Sequence, residues 1–105
     1  MQAHFIQRHQ QSDYEVEILK ESIEHKKWAD GEISELQTSI HRGCNKNMAR
    51  SQLETVLSNL EERIGTLQNL NKKNLAPNHL LRRDGLVSAI SKTVGEVKKF
   101  IDIML

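Results

Sequence analysis

The sequence predicts an all-α domain, an antiparallel up-down-up bundle of three helices with a left-handed twist. One proline and five glycines in 105 residues leave too few turn signals for a many-stranded sheet. Charged residues at 28%, apolar residues at 37% and aromatic residues at 4% are typical of a helical bundle. In three stretches the apolar residues recur at alternating steps of three and four, which is the spacing of a buried helix seam. A chain of 105 residues has room for a single core, so we predict one domain over 1–105.

The first predicted helix covers about residues 13–42. Ser12-Asp13-Tyr14-Glu15 resembles a capping box, which would start the helix there, and residues 1–11 either fray or continue it backwards. The apolar seam meets a polar gap at Lys26 and Asp30 and then resumes without a change of phase. Its members are Val16, Leu19, Ile23, Ile33, Leu36 and Ile40. Because a break usually shifts the phase, we predict one helix through Asp30-Gly31.

The second predicted helix covers about residues 48–73. It follows a stop signal at 41–47, where a cationic last turn precedes glycine and asparagine. Its seam is Leu53, Leu57, Leu60, Ile64 and Leu67. Residues 71–78 form the second connection, in which Leu75 is predicted to plug the space between helix ends.

The third predicted helix covers about residues 78–104, just after the only proline, Pro77, with Asn78 as the candidate N-cap. Its seam is Val87, Ile90, Val94, Val97, Ile101 and Met104. Short loops between amphipathic helices favour antiparallel neighbours. The residues predicted to be buried in the bundle are Leu57, Leu60, Ile64, Val87, Ile90, Val94 and Val97.

Composition argues against several classes of function. A net charge of +1 is too small for a dedicated nucleic-acid binder. Apolar runs of two or three residues are too short to span a membrane. The single cysteine, Cys44, excludes an internal disulfide framework and is typical of a reducing, cytosolic compartment.

Residues that could take part in catalysis or metal binding are scattered along the sequence. His41-x-x-Cys44 has the spacing of two zinc ligands, but no second pair is near in sequence and structural zinc takes four ligands. The other histidines, His4, His9, His25 and His79, are predicted to be solvated. A solvated acidic face is predicted from Glu15, Glu17, Glu21, Glu24, Glu32 and Glu35. With no phosphate loop, nucleophile elbow or carboxylate pair, we predict no enzyme, no metal and no cofactor.

Charge is uneven along the chain, because the first helix is acidic and the stretch from Lys72 onward is basic. One interpretation is long-range attraction that holds the first helix against the third. The other is a basic surface that faces a partner. On that second interpretation, the outward face of the third helix binds a helical partner around an apolar strip. The predicted rim contacts are Arg82, Arg83, Lys92 and Lys99.

About two thirds of the chain, mainly its last sixty residues, resembles a known family. The second helix carries a Leu-x-x-Leu-x-x-x-Ile-x-x-Leu pattern at residues 57–67, and Leu80-Leu81-Arg82-Arg83 follows the loop. Leu86-Val87 and Val97-Lys98-Lys99 come after it, while Trp28, Ile33, Leu36, Ile40 and Arg42 are similar to the family's first helix. These features resemble the N-terminal three-helix (Habc) regulatory domain of Qc-type SNAREs, the endosomal and vacuolar syntaxins related to syntaxin 6 and syntaxin 8. In that register, residues 1–27 form an N-terminal extension.

The resemblance implies a non-catalytic interaction domain that regulates SNARE-mediated membrane fusion and vesicle trafficking. Its partners would be a tethering factor, a Sec1/Munc18-type (SM) protein or a SNARE motif, bound by a monomer or weak oligomer without direct membrane insertion. Family members carry SNARE heptads and a tail anchor after this domain, so the resemblance implies the regulatory domain alone, on the cytoplasmic face of endosomal, Golgi or vacuolar membranes. The alternative is a small helical chaperone or secretion-apparatus component that shields a partner's amphipathic helix.

Overall fold

The computed structural model describes residues 2–104 and the side chains of residues 14–103. Within that range the chain forms α1 (Gln2–His41), α2 (Lys46–Gln68), a 3₁₀ turn (Lys72–Asn74) and α3 (Pro77–Met104), with no strand. The overall dimensions are 63 × 18 × 16 Å, and the long one matches the roughly 60 Å expected of a helix as long as α1. The predicted all-α three-helix bundle is confirmed.

The core shows how the helices are arranged. One of its two clusters, which we call the lower cluster, joins the end of α1, the start of α2 and the end of α3 through Leu36, Ala49, Leu53, Val97 and Ile101. Consecutive helices therefore run in opposite directions. The upper cluster lies towards the α2–α3 connection and contains Leu19, Ala29, Val56, Leu60, Leu67, Leu70, Leu75, Ile90 and Val94. The left-handed twist of the bundle stays a prediction.

Helix α1 is continuous through Asp30-Gly31, as the phase of its seam predicted. The helix begins at Gln2, so the chain before the Ser12 capping box continues it backwards, which was one of the two alternatives. No glycine or proline lies between Gln2 and Asp13, and glutamine, alanine and arginine are good helix formers. The side chains of Ser12, His4 and His9 lie outside the described residues.

The loop between α1 and α2 follows the predicted stop signal. Gly43 has φ of 90°, a left-handed conformation that glycine adopts without steric cost. The Asn45 side chain then accepts hydrogen bonds from the backbone N–H groups of Asn47 and Met48, at 2.9 and 3.3 Å. This N-cap starts α2 at Lys46, two residues before the predicted start.

Helix α2 ends at Gln68 rather than near residue 73 as predicted. Asn69 is its C-cap, and the Asn71 side chain accepts from the backbone N–H of Lys73 to cap the 3₁₀ turn. Asparagine favours such caps over helix interiors because its side chain competes for backbone hydrogen bonds. Leu70 and Leu75 lie on either side of the turn, and both are buried in the core. This confirms the prediction that Leu75 fills the space between helix ends.

Helix α3 begins at Pro77, and the predicted N-cap at Asn78 is wrong. The carbonyl of Ala76 accepts from the backbone N–H groups of His79 and Leu80, at 2.9 and 3.0 Å. Ala76 is therefore the cap position. Proline is favoured at the first helical position, since its missing N–H would have no partner there.

The predicted core is confirmed for four of its seven members, because Leu60, Ile90, Val94 and Val97 are buried. The other three, Leu57, Ile64 and Val87, are half-buried and pack against the clusters. Along α1 the buried line runs through the small residues Ser22 and Ala29, each 0% exposed. Small side chains there let α1 approach its neighbours closely.

Candidate partner-binding surfaces

The four basic residues predicted to contact a partner differ in their exposure to solvent. Arg82, Lys92 and Lys99 are exposed on α3, as a contact residue must be. The predicted rim position of Arg83 is wrong, because its side chain is only 10% exposed. Its Nε and Nη2 groups donate to Oδ1 of Asp84 at 3.1 and 2.7 Å. Arg83 lies seven residues before Ile90, two helical turns along the core-facing line, which explains its burial.

The outward face of α3 also lacks the predicted apolar strip. Leu81 and Ile103 are its exposed large apolar residues, at 74% and 72% exposure. Between them that face presents Gly85, Ser88, Lys92, Gly95 and Lys99, all exposed. Apolar anchors of a partner helix would find little to contact there. The apolar surface must be sought elsewhere on the bundle.

A groove between α1 and α3 supplies that surface. Its floor consists of Ile33, Leu53, Val97 and Phe100, of which Leu53 and Val97 belong to the lower cluster. Its walls are Asp30, Ser34 and Gln37 from α1, and Thr93 and Glu96 from α3. The groove exists because these short or polar side chains do not fill the space between the two helices.

The size of the groove limits what it can hold. Its volume is about 130 Å³, whereas pockets for drug-sized ligands or cofactors typically measure about 300–1,000 Å³. One large aliphatic side chain, or two small ones, would fill it. The groove is therefore suited to anchor side chains of a helix that lies across α1 and α3.

One of the two carboxylates that line the groove forms an ion pair within the protein. Asp30 accepts from Lys26 at 2.8 Å, one helical turn earlier in α1. On α3, Glu96 lies four residues after Lys92 and three before Lys99, so both lysines flank it on the solvent side. Neither lysine forms an ion pair with another of the described side chains.

A second, shallow surface lies between α1 and α2. It is lined by Glu17, Lys20, Glu21, Glu24, His25, Trp28 and Arg63. Trp28 is 43% exposed, and its ring centroid is 5.3 Å from that of His25. Most of the predicted acidic face is exposed or half-buried, but Glu15 is only 6% exposed, so its predicted solvation is wrong. Glu15 lies one turn before Leu19 on the core-facing side of α1.

The two described histidines near the core are not fully solvated as predicted. His25 and His79 are half-buried, and His25 Nε2 and His79 Nδ1 have no hydrogen-bond partner. Burial lowers the pKa of His25 below its ordinary value of 6.5, nearby Arg63 lowers it further, and Glu62 partly opposes them. The folded protein therefore favours neutral His25.

This lowered pKa makes stability depend on pH. The unfolded chain takes up a proton on His25 near its ordinary pKa of 6.5, and the folded chain does so only at lower pH. The contribution of His25 is therefore present above that value and is lost as the pH falls through the folded pKa. We expect urea unfolding at mildly acidic pH to show a smaller loss of stability in His25→Gln than in the parent. A pH profile of His25→Gln identical to the parent's would contradict the assignment.

Among the described residues, no group of three or more His, Cys, Asp or Glu side chains could hold a metal ion. Cys44 and His41, which share a zinc-ligand spacing, are both exposed. No helix in the described part of the chain is both long and apolar enough to cross a membrane.

The groove residues were missed at the sequence level for a physical reason. Ser34, Gln37 and Thr93 have no unusual spacing, and Phe100 lies outside the three-and-four seam. A groove depends on how far apart two distant helices lie, and a one-dimensional pattern does not contain that distance. The available signal was the pair of polar walls directly beside seam residues, Ser34 after Ile33 and Glu96 before Val97.

Comparison with models of protein families, with curated proteins and with solved structures found no match to this chain.

Proposed function

We propose that this protein is a non-catalytic interaction domain that binds an amphipathic helix of another protein in the α1–α3 groove. The observation that supports the proposal is a groove of about 130 Å³ between the two helices, in which Ile33 and Phe100 are half-buried above the buried Leu53 and Val97. A docked helix would lie along α1 and α3 and complete a four-helix bundle. Side chains spaced three and four residues apart would reach the floor from one face of such a helix.

The energetics agree with a modest but specific interaction. Burying one leucine or isoleucine side chain in an apolar site contributes about 1.5–3 kcal/mol. Association also costs translational, rotational and side-chain freedom, so a single anchor is not enough. The partner helix must therefore make further contacts along the walls, where the exposed side chains of Ser34 and Gln37 offer hydrogen-bonding groups.

A substitution that fills the groove tests the proposal. Ser34 is exposed and lines the groove, so Ser34→Phe should occupy the space of the anchor while leaving the core intact. The probe is a synthetic helical peptide of about 18 residues with leucines at three-and-four spacing and uncharged glutamine flanks. We expect its affinity, measured by fluorescence anisotropy of a labelled peptide, to fall at least about tenfold.

The matched control is Ser58→Phe, which adds the same side chain at an exposed position of α2 that does not line the groove. Its affinity should stay within about twofold of the parent's. Equal affinity of the parent and Ser34→Phe, or no binding of the peptide to the parent, would refute docking in this groove.

We propose SNARE regulation as the cellular setting, and this part rests on the sequence resemblance alone. The bound helix would then belong to a tethering factor, an SM-type protein or a SNARE motif, on the cytoplasmic face of endosomal, Golgi or vacuolar membranes. Binding of purified SNARE-motif helices to the parent but not to Ser34→Phe would support it. Binding of the glutamine-flanked peptide without any binding of SNARE motifs, tethers or SM-type proteins would leave the groove proposal standing and exclude this setting.

A further inference from the structure

We infer that the helix bound in the α1–α3 groove carries one basic side chain beside its apolar anchor, and that this side chain pairs with Glu96. The inference rests on the proposed docking in the groove and goes beyond it by naming a charged residue that the partner presents. It follows from the charges and the shape of the side chains that line the groove.

The charged side chains that line the groove, among the residues that the structure describes, are both carboxylates. Asp30 belongs to the α1 wall and Glu96 to the α3 wall, and both are exposed. The other described lining residues are apolar or carry a hydroxyl or an amide group. A side chain that docks in the groove therefore meets negative charge on both walls.

The two carboxylates differ in how far their charge is already neutralised. Asp30 accepts from Lys26 at 2.8 Å, one helical turn earlier in α1. Glu96 forms no ion pair with another of the described side chains, although Lys92 and Lys99 lie about one turn to either side of it. Glu96 is therefore the wall carboxylate that can accept a cation from a partner.

The apolar surface beside Glu96 suits the stem of a basic side chain. Phe100 lies four residues after Glu96, so the two residues share a side of α3. Phe100 and Ile33 are both half-buried and line the groove. Lysine and arginine lay their methylene groups along apolar surface and keep the charged head group near water. One such side chain can contact Phe100 with its stem and Glu96 with its head group.

The charge of the whole chain favours a single basic residue over a uniformly basic helix. The formal net charge is +1, so long-range attraction does not draw a basic helix to the protein. Lys92 and Lys99 are exposed on either side of Glu96 along α3 and would repel further cations of the partner. The selectivity is therefore local to Glu96.

The experiment places one charge at a time in the glutamine-flanked peptide. Each glutamine within one helical turn of the central leucine is replaced in turn by lysine and, in a parallel series, by glutamate. At about 50 mM salt we expect one lysine position to strengthen binding about three- to fivefold over the glutamine peptide. Glutamate at the same position should weaken binding, because it would lie beside the carboxylate of Glu96.

Glu96→Gln tests whether Glu96 causes this preference. In that variant the ratio of the affinities for the lysine and glutamine peptides should fall to about one. The matched control is Glu35→Gln, because Glu35 is also exposed and unpaired among the described side chains but does not line the groove. The control should keep the parent's preference for lysine. Equal loss of the preference in both variants would show that overall charge selects the peptide, which contradicts the inference.

The outcomes separate this inference from the proposed function. Equal binding of the lysine and glutamine peptides, each weakened by Ser34→Phe, would overturn the basic residue and leave helix docking in place. A preference for glutamate, or a preference for lysine that survives in Glu96→Gln, would overturn the pairing in the same way. Failure of every peptide to bind would overturn both.

Discussion

Ile90→Asp should unfold the domain. Ile90 is 0% exposed and belongs to the upper cluster, where α3 packs against α1 and α2. The substitution removes a fully buried aliphatic side chain, which costs about 2–5 kcal/mol, and places a carboxyl group where no polar partner exists. A domain of this size is stable by only about 5–15 kcal/mol. We expect the loss of most or all of the cooperative thermal transition, measured by circular dichroism at the helical minimum.

The neighbouring substitution Ser91→Asp is the control. Ser91 is exposed on α3, so the same new charge is hydrated there and should change the free energy of unfolding by less than about 0.5 kcal/mol. A melt of Ile90→Asp that coincides with the parent's would mean that α3 does not pack as described.

Arg83→Glu should destabilise the bundle by about 2–4 kcal/mol. The Arg83 side chain is 10% exposed and donates twice to Asp84, whose side chain is 62% exposed. Reversal would bury a carboxylate and place it beside a second carboxylate, in a position that water reaches poorly. Because Arg83 is buried, reversal of Arg82 and Arg83 together would lower stability and could not test partner binding alone.

The single variant Arg82→Glu separates the effect of the exposed arginine on stability from that of the buried one. Arg82 is exposed, so its reversal should leave the free energy of unfolding within about 0.5 kcal/mol of the parent's. Urea unfolding of the two single variants measures the difference directly. Equal stability of Arg82→Glu and Arg83→Glu would contradict the burial of Arg83.

The long apolar seams could be predicted from the sequence because the direction in which a helical residue points is fixed by its position along the helix. The uninterrupted phase across Lys26 and Asp30 predicted a single α1, which the structure confirms. The same reading missed Ser22 and Ala29 as core residues, because small side chains carry little hydrophobic signal even when they are 0% exposed. Close helix packing selects such residues, and the pattern of large apolar residues does not detect them.

Helix ends were less predictable because they depend on competition between local hydrogen bonds. Three asparagines at 69, 71 and 74 replaced the last turn predicted for α2 with a cap and a 3₁₀ turn. At the start of α1, a capping-box sequence lies inside a continuing helix. The capping box is a local preference, and the good helix formers before it allow the helix to extend backwards.

The candidate site was predicted only in part. Lys92 and Lys99, two of the basic residues predicted on α3, are exposed, but neither lines the groove. The apolar surface was placed on the wrong face, because the sequence does not show that Ser34 and Thr93 leave a space between α1 and α3. The burial of Arg83 was missed for a related reason, since a charged residue in a basic pair looks like surface unless its helical phase is followed back from Ile90.

The most direct test of helix docking between α1 and α3 is a titration of the ¹⁵N-labelled protein with the glutamine-flanked peptide, followed by ¹H–¹⁵N correlation spectra. We expect saturable shifts of backbone amides concentrated in residues 30–37 and 93–100, the segments that form the groove walls. Amides near Glu17, Trp28 and Arg63, on the surface between α1 and α2, should move little. Shifts centred on that second surface, or no saturable shifts at all, would contradict docking in the groove.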